Sequence, residues 1–219
     1  KPSSAASDVY KRQTINGKRA ETGMQVESGD VVVVKGKTVV PEEKKVYLAF
    51  NKPRGIVCTA EKREKNNVID YLSYPVRIYP VGRLDKDSEG LLLMTNDGAI
   101  VNGIMRARNR HEKEYQVEVN KEITPEFLKK MASGVPILDT VTRPCRIRKT
   151  GERSFTIILT QGLNRQIRRM CEALGYRVTK LKRVRIMNIH LKDLKTGEYR
   201  PLTEKELAEL KKQIGEEKR

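Results

Sequence analysis

The chain has 219 residues, of which 37% are hydrophobic and 33% charged, enough for one ordinary domain and a small appendage with a heavily solvated surface. Lys and Arg total 45 against 28 Asp and Glu, and the resulting net charge of +17 attracts polyanions, nucleic acid first and anionic membrane second, although charge reports partners and not fold. Three scattered cysteines (Cys58, Cys145, Cys171) and two histidines (His111, His190) argue against a structural zinc site and for free thiols in a reducing cytosol. No apolar run approaches the roughly 18 residues that span a bilayer, and no signal peptide is visible.

Residues 1–13 have no apolar periodicity and read as a disordered or non-native leader. From Thr14, short β-branched runs are cut by Asn16-Gly17, Ser28-Gly29-Asp30 and Lys35-Gly36, the texture of a small set of strands and turns. A polar linker, Pro41 to Lys45, closes a 14–45 segment, and a larger domain begins at Val46. There Val46–Phe50 predicts a strand, Asn51-Lys52-Pro53-Arg54-Gly55 a turn, Asn67–Tyr71 a short helix, and Arg77–Val81 a strand running into Gly82-Arg83-Leu84-Asp85. Leu91–Thr95 predicts an apolar strand, residues 99–107 a helix, and Glu114–Val119 a strand with Tyr115, Val117 and Val119 on one face. Thr124-Pro125 predicts a helix start, and Phe155–Thr160 another strand. Asn164 is expected to cap a helix whose apolar residues Ile167, Met170, Cys171 and Leu174 share one face, with Gly175 ending it. Two more strands, Arg177–Leu181 and Ile186–Leu191, precede a terminal helix, Thr203–Ile214, with Thr203 and Glu206 as a capping box. Strands outnumber helices without a repeating βαβ rhythm, so the expected fold is α+β with a mainly antiparallel mixed sheet flanked by helices.

Positive charge is focused in Gln161–Arg185, which carries Arg165, Arg168, Arg169, Arg177, Lys180, Lys182, Arg183 and Arg185 against the single acid Glu172. Solvated helices and strands normally mix signs, so this bias points to phosphate binding with salt-dependent affinity. On the helix, Arg165 and Arg169 fall on the outer face and Arg168 at the border of the apolar stripe, where a planar guanidinium is suited to orient a carboxylate. Asp85 is a candidate for carboxylate chemistry in its own right. It leaves a strand end in a glycine-bounded loop, and flanking Arg83 and Lys86 favour its ionised form, fit for a nucleophile or base. Spacing alone leaves a plain turn or cap Asp as the alternative, as it does for Asp70 and Asp97. Asp85 and Asp87 are too close in one loop to make a convincing glycosidase pair. Lys52 and Arg54 are read either as RNA contacts or as parts of a Pro-Gly turn. Tyr115 is read as a core residue or as a platform for a base. Without GxxxxGK[ST] or GxGxxG, nucleotide-cofactor chemistry is unsupported.

These residues also carry a resemblance. Gly82-Arg83-Leu84-Asp85 followed by Gly90-Leu91-Leu92-Leu93-Met94-Thr95-Asn96-Asp97-Gly98 resembles the catalytic motif of the RsuA/RluB/RluE/RluF group of pseudouridine synthases. Asn51 to Gly55, Lys113-Glu114-Tyr115 and Gln161 to Met170 resemble the group's other motifs in the same order, over nearly all of 46–203. Finer strings, such as His111 to Tyr115 and Gly134 to Leu138, are most similar to the RluF branch, which modifies 23S ribosomal RNA. The resemblance implies an enzyme that flips a uridine out of RNA, breaks its N1–C1′ bond, turns the base and rejoins it through C5, using no metal or cofactor. It implies Asp85 as the catalytic carboxylate, Arg168 as the arginine that pairs with it, Tyr115 as the residue stacking on uracil, and Leu181 as the apolar residue on the base's other side. Lys52, Arg83 and Arg165 are assigned to RNA binding or loop support, and Arg169, Lys182 and Arg183 to RNA binding.

The implied partner is 23S ribosomal RNA, free or in an assembly intermediate, with tRNA a second candidate and a cytoplasmic monomer the default state. Residues 14–40 resemble only the strand-rich half of an S4 RNA-binding domain, so a truncated or foreign start is expected, with 46–219 as the catalytic domain. A non-catalytic RNA-binding or ribosome-assembly factor is the competing reading, and a glycosidase or nucleosidase acting on small substrates is a third.

Overall fold

Short β-branched runs separated by turns that need a left-handed backbone zip into hairpins. In the computed structural model, which describes residues 13–21, 24, 26, 30–39, 44–61, 63–105 and 111–215, the first of two units (Lys1–Lys44) contains four such strands. β1 (Gln13–Ile15), β2 (Lys18–Arg19), β3 (Val32–Val34) and β4 (Lys37–Val39) form an antiparallel sheet in the order β2-β1-β3-β4. Asn16 and Lys35, each followed by glycine, take positive φ at the two hairpin turns. The Asn16 side chain also accepts the Val31 N–H at 2.9 Å and donates to Asp30 Oδ1 at 2.8 Å. The expected leader and linker lie largely outside the described residues.

The second unit (Lys45–Arg219) is built on a nine-stranded mixed sheet. Its strands are β5 (Tyr47–Lys52), β6 (Tyr79–Pro80), β7 (Glu89–Thr95), β8 (Lys113–Val119), β11 (Arg146–Gly151), β12 (Ser154–Leu159), β13 (Val178–Ile186), β14 (Ile189–His190) and β15 (Tyr199–Pro201); β9 (Pro136–Ile137) and β10 (Thr140–Val141) form a separate hairpin. The path runs β11-β12-β8-β13-β7-β5-β15, with β14 beside β13 and β6 beside β7. Every pairing within it is antiparallel except β13 with β7, where Lys182 faces Glu89 and Arg183 faces Gly90. Two antiparallel halves therefore meet at one short parallel seam. Gly90 has φ +106°, and a Cβ there would lie 2.3 Å from the Arg183 carbonyl oxygen, so the seam closes only around a glycine.

Among the described residues, five helices cover the sheet: α1 (Val68–Leu72), α2 (Gly98–Met105), α3 (Pro125–Ser133), α4 (Gln166–Ala173) and α5 (Glu204–Ile214). Strand alternation divides their docking. Ala49, Leu91 and Leu93 pack with Ile100 and Ile104 of α2 and Leu210 of α5, whereas Leu48, Phe50, Leu92 and Met94 pack with Val68 and Leu72 of α1 and with Leu84. In the other half, Val117, Phe155, Ile157 and Leu181 pack with α3 (Phe127, Met131) and α4 (Ile167, Met170, Cys171). Tyr115 touches both this cluster and the one around Phe50.

The α+β class and mainly antiparallel sheet expected from the sequence are found. Thr124 caps α3 by accepting the Phe127 N–H at 3.1 Å, and the Thr203–Glu206 capping box is complete. Several details differ. Residue 165, not 164, caps α4: Arg165 turns left-handed at φ 48° with no side-chain cap, while Asn164 accepts hydrogen bonds from Arg169 through its main-chain oxygen and Oδ1. The two strands expected around residues 177–191 are one long β13 followed by the short β14, because Lys182 and Arg183 continue the ladder to β8. Strand β11, charged on its exposed side, was not anticipated; it forms a sheet edge paired only through β12.

Two stability predictions follow from these contacts. Gly90→Ala forces a strained backbone against a main-chain oxygen and is expected to lower the unfolding free energy by about 2 kcal/mol or more, measured by urea denaturation. Glu206 accepts two Arg200 bonds (2.7 and 2.8 Å), which outweigh burial and, with the Thr203 N–H, bring its carboxyl down to about 2 from 4.5. A depressed carboxyl contributes stability above its unfolded value and loses it as pH falls through the folded one. The wild-type thermal midpoint should therefore drop between about pH 4.5 and 2 more steeply than that of Glu206→Gln.

Candidate active site

The sheet seam and the loop that feeds it bring most of the singled-out residues together. Leu84 is buried in the core around Phe50, so Asp85, next in the chain, is drawn to the sheet and left half-buried. The loop closes on itself through the Ser88 N–H to Asp85 carbonyl bond at 3.0 Å. It is braced from outside by Gly55 N–H to the Lys86 carbonyl at 2.8 Å and by Leu84 N–H to Cys58 Sγ at 3.4 Å. Cys58 entered the sequence reading only as a free thiol, and nothing in its spacing signals this contact.

Three buried cations complete the frame. Lys52, 0% exposed at the end of β5, donates from Nζ to the carbonyls of Pro53 and Ile56, both at 2.8 Å. Arg183, 3% exposed on β13, donates from Nε to the Leu91 carbonyl at 2.7 Å and from Nη1 to the Arg83 carbonyl at 3.3 Å. Arg168, 8% exposed on α4, donates from Nη2 to the Asp87 carbonyl at 3.0 Å and to Ser88 Oγ at 3.3 Å. Arg183 Nη2 and Arg168 Nε are buried with no partner. Outside this frame, Arg165 Nη1 lies 3.5 Å from Asp87 Oδ2.

The electrostatics reflect the burial. Desolvation lowers the Lys52 pKa, the Cys58 thiol opposes that, Arg183 adds to it, and Asp85 and Asp87 pull it back up. The Arg168 pKa is lowered by burial first and by Arg165 next, with Asp87 and Asp85 acting in the opposite sense. Lys113, beside Tyr115, is lowered by burial and by Arg183. Asp85 thus sits within electrostatic reach of both Lys52 and Arg168.

Tyr115 stands opposite Arg183 across the β8–β13 ladder, and Val117 opposite Leu181, so these four side chains share one sheet face. Tyr115 is half-buried there, while Leu181 is buried in the core under α4. Lys182 projects to the opposite face, paired with Gln116 and Glu89. Arg83 and Arg165 have exposed side chains, and half-buried Arg169 is tied to Asn164.

These placements bear on two sequence expectations. Lys52, assigned to RNA contact or loop support, and Arg183, assigned to RNA contact, are both buried, with main-chain carbonyls accepting from Lys52 Nζ and from Arg183 Nε and Nη1. Arg168 was expected on the Asp85 carboxylate, whereas its bonds go to the turn two and three residues further on. Of the eight cations between 161 and 185, Arg185 is also engaged, with Glu114 at 2.8 Å and Glu112 at 3.1 Å.

Comparison with known proteins bears directly on this loop. A family model described as RNA pseudouridylate synthase matches residues 46–173, which span Asp85, Tyr115 and Arg168. The chain belongs to the RNA pseudouridine synthase family. It is 55% identical over 202 residues to the dual-specificity RNA pseudouridine synthase RluF of Salmonella typhi, across 91% of this chain and 70% of that protein. It is 36% identical over 206 residues to the ribosomal large subunit pseudouridine synthase B of Bacillus subtilis, across 90% of this chain and 84% of that one. A pseudouridylate synthase crystal structure superposes with TM-score 0.72 at 28% identity, covering 91% of this chain and 89% of its own.

In this synthase, then, a half-buried carboxylate stands on a loop whose main chain is held by Arg168 and Arg183, while Lys52 holds the adjacent 53–56 turn that braces it. Removing Lys52 should show as a folding defect before it shows as an RNA-binding defect. Lys52→Met leaves two carbonyls unpaired and is expected to cost roughly 2 kcal/mol or more in urea denaturation. Filter binding of ribosomal RNA should stay at the wild-type level; weakened binding at unchanged stability would return Lys52 to the RNA surface.

Proposed function

We propose that the synthase isomerises one specific uridine of 23S ribosomal RNA to pseudouridine, with Asp85 as its catalytic carboxylate. The reading is carried by one observation: a half-buried carboxylate on a loop whose ends are held by the buried Arg183 and whose turn is held by the buried Arg168, braced by the 53–56 turn that wraps the buried Lys52. A protein that only binds RNA has no use for a carboxylate fixed among cations, since an acid there opposes the polyanion.

The target base leaves its stack, because its reacting atoms are shielded within a duplex. Asp85 acts as nucleophile or base while the N1–C1′ bond breaks. The base turns, C5 bonds to C1′, the C5 proton is lost and N1 gains one, so reactant and product are isomers. Tyr115 stacks on the uracil and assists the proton transfer, with Leu181 as the apolar partner on the other side. Arg168 holds the Asp85 turn. Arg83, Arg165, Arg169 and Lys182 contact RNA phosphates.

Support for ribosomal RNA comes from the relatives, named for dual specificity and for the large ribosomal subunit. Structured tRNA is the second candidate substrate. Residues 46–219 form the catalytic domain and 14–45 an S4-type RNA-binding segment. The protein works as a cytoplasmic monomer; among the described residues no helix is long and apolar enough to cross a membrane.

Chemical pseudouridine mapping of bacterial 23S ribosomal RNA incubated with the protein tests the proposal. Asp85→Asn should lose product formation by at least about 100-fold while RNA binding persists. RNA affinity of both proteins should fall linearly with salt on logarithmic axes. Wild-type product formation by Asp85→Asn would remove Asp85 from the chemistry, and no product from the wild type would favour a binding protein.

A further inference from the structure

Arg183 is a buried cation whose guanidinium bonds to main-chain carbonyls. An arginine 3% exposed is costly to bury, and this one is flanked by other cations: it lowers the pKa of both Lys52 and Lys113. A core residue needed only for packing would be neutral. What the guanidinium does instead is geometric. Nε donates to the Leu91 carbonyl and Nη1 to the Arg83 carbonyl, so one rigid planar group touches both ends of the 83–91 segment, with Asp85 between them. The same residue's main chain lies against Gly90, where only a glycine allows the approach. The position of the guanidinium is thereby fixed by the sheet seam and transmitted to the loop.

We infer that Arg183 is a positioning residue for the isomerisation: it clamps the two ends of the Asp85 loop and sets where the carboxylate stands. The inference rests on Asp85 being the catalytic group. A lysine is not equivalent. Its donors radiate from a single atom, which suits the two carbonyls wrapped around Lys52, whereas Arg83 and Leu91 are reached from two nitrogens whose separation is fixed by the guanidinium plane. Arg183 is 3% exposed, so its loss should act on turnover through loop position and not on RNA capture.

The test uses the full chain and free, transcribed 23S ribosomal RNA, with three readouts: single-turnover rate of pseudouridine formation, RNA dissociation constant by filter binding, and thermal midpoint. For Arg183→Lys the rate is expected to fall about 100-fold, the scale of a misplacement of about 1 Å, with affinity and thermal midpoint near wild type. Guanidinium ion added to Arg183→Ala is expected to restore part of the rate; should that variant not fold, Arg183→Lys decides alone. A wild-type rate in Arg183→Lys overturns the inference. So does a rate loss that tracks weaker RNA binding, which makes Arg183 an RNA contact, or one that tracks a lowered midpoint, which makes it a packing residue. Asp85→Asn run alongside separates the two claims: if it retains activity, the assignment of Asp85 fails whatever Arg183 does.

Discussion

The parallel seam between Gly90 and Arg183 is the contact on which the site depends. Each antiparallel half of the sheet registers itself through its own ladder, but the halves meet over only two residue pairs. So short a contact has little ladder energy of its own, and its spacing is set by sterics, the absence of a Cβ on Gly90, and by the Arg183 side chain reaching across to Leu91 and Arg83. The loop bearing Asp85 enters β7 at this seam. Its placement is therefore inherited from the meeting of the two antiparallel halves, and Tyr115 packs against the cores of both.

Burying Lys52, Arg168 and Arg183 near one loop is expensive by desolvation, and burial is the first cause of the lowered pKa at Lys52 and Arg168. The compensation is mostly not ion pairing. Their hydrogen bonds go to five main-chain carbonyls and one hydroxyl, on Pro53, Ile56, Arg83, Leu91, Asp87 and Ser88. Carbonyl dipoles solvate a cation without cancelling its charge, so the frame stays electropositive around Asp85. A pairing of each cation with its own carboxylate would hold the loop as firmly but leave no field for an incoming polyanion.

The sequence made the architecture legible wherever periodicity was strong: α3 and α5 by their caps, α4 by its apolar stripe, and β8 by alternation around Tyr115, Val117 and Val119. It also brought out the Asp85 loop, because glycines bound it and charges crowd it. It did not reveal depth. Lys52 and Arg183 look like surface cations in a basic protein, and only the sheet register, with Arg183 facing Tyr115 on one side and Gly90 on the other, puts them inside. Cys58 carries no signal because its partner, the Leu84 N–H, is main chain and distant in sequence. The cap of α4 moved by one residue because Asn164 bonds to Arg169 instead of to the helix start, a competition between side chain and backbone that local pattern does not resolve.

The basic run between 161 and 185 consequently divides into two kinds of charge with different physics. Arg168 and Arg183 are dry, and their interactions with main-chain oxygens are little screened by ions, so they shape the loop at any salt concentration. Arg165 and Arg177 are exposed, and their attraction to phosphate fades as ions compete. On the proposed reading, a single stretch of sequence supplies a salt-insensitive frame for the chemistry and a salt-sensitive surface for capture. High salt is then expected to empty the site of RNA without disturbing the geometry of Asp85, which separates binding from turnover within one cluster of cations.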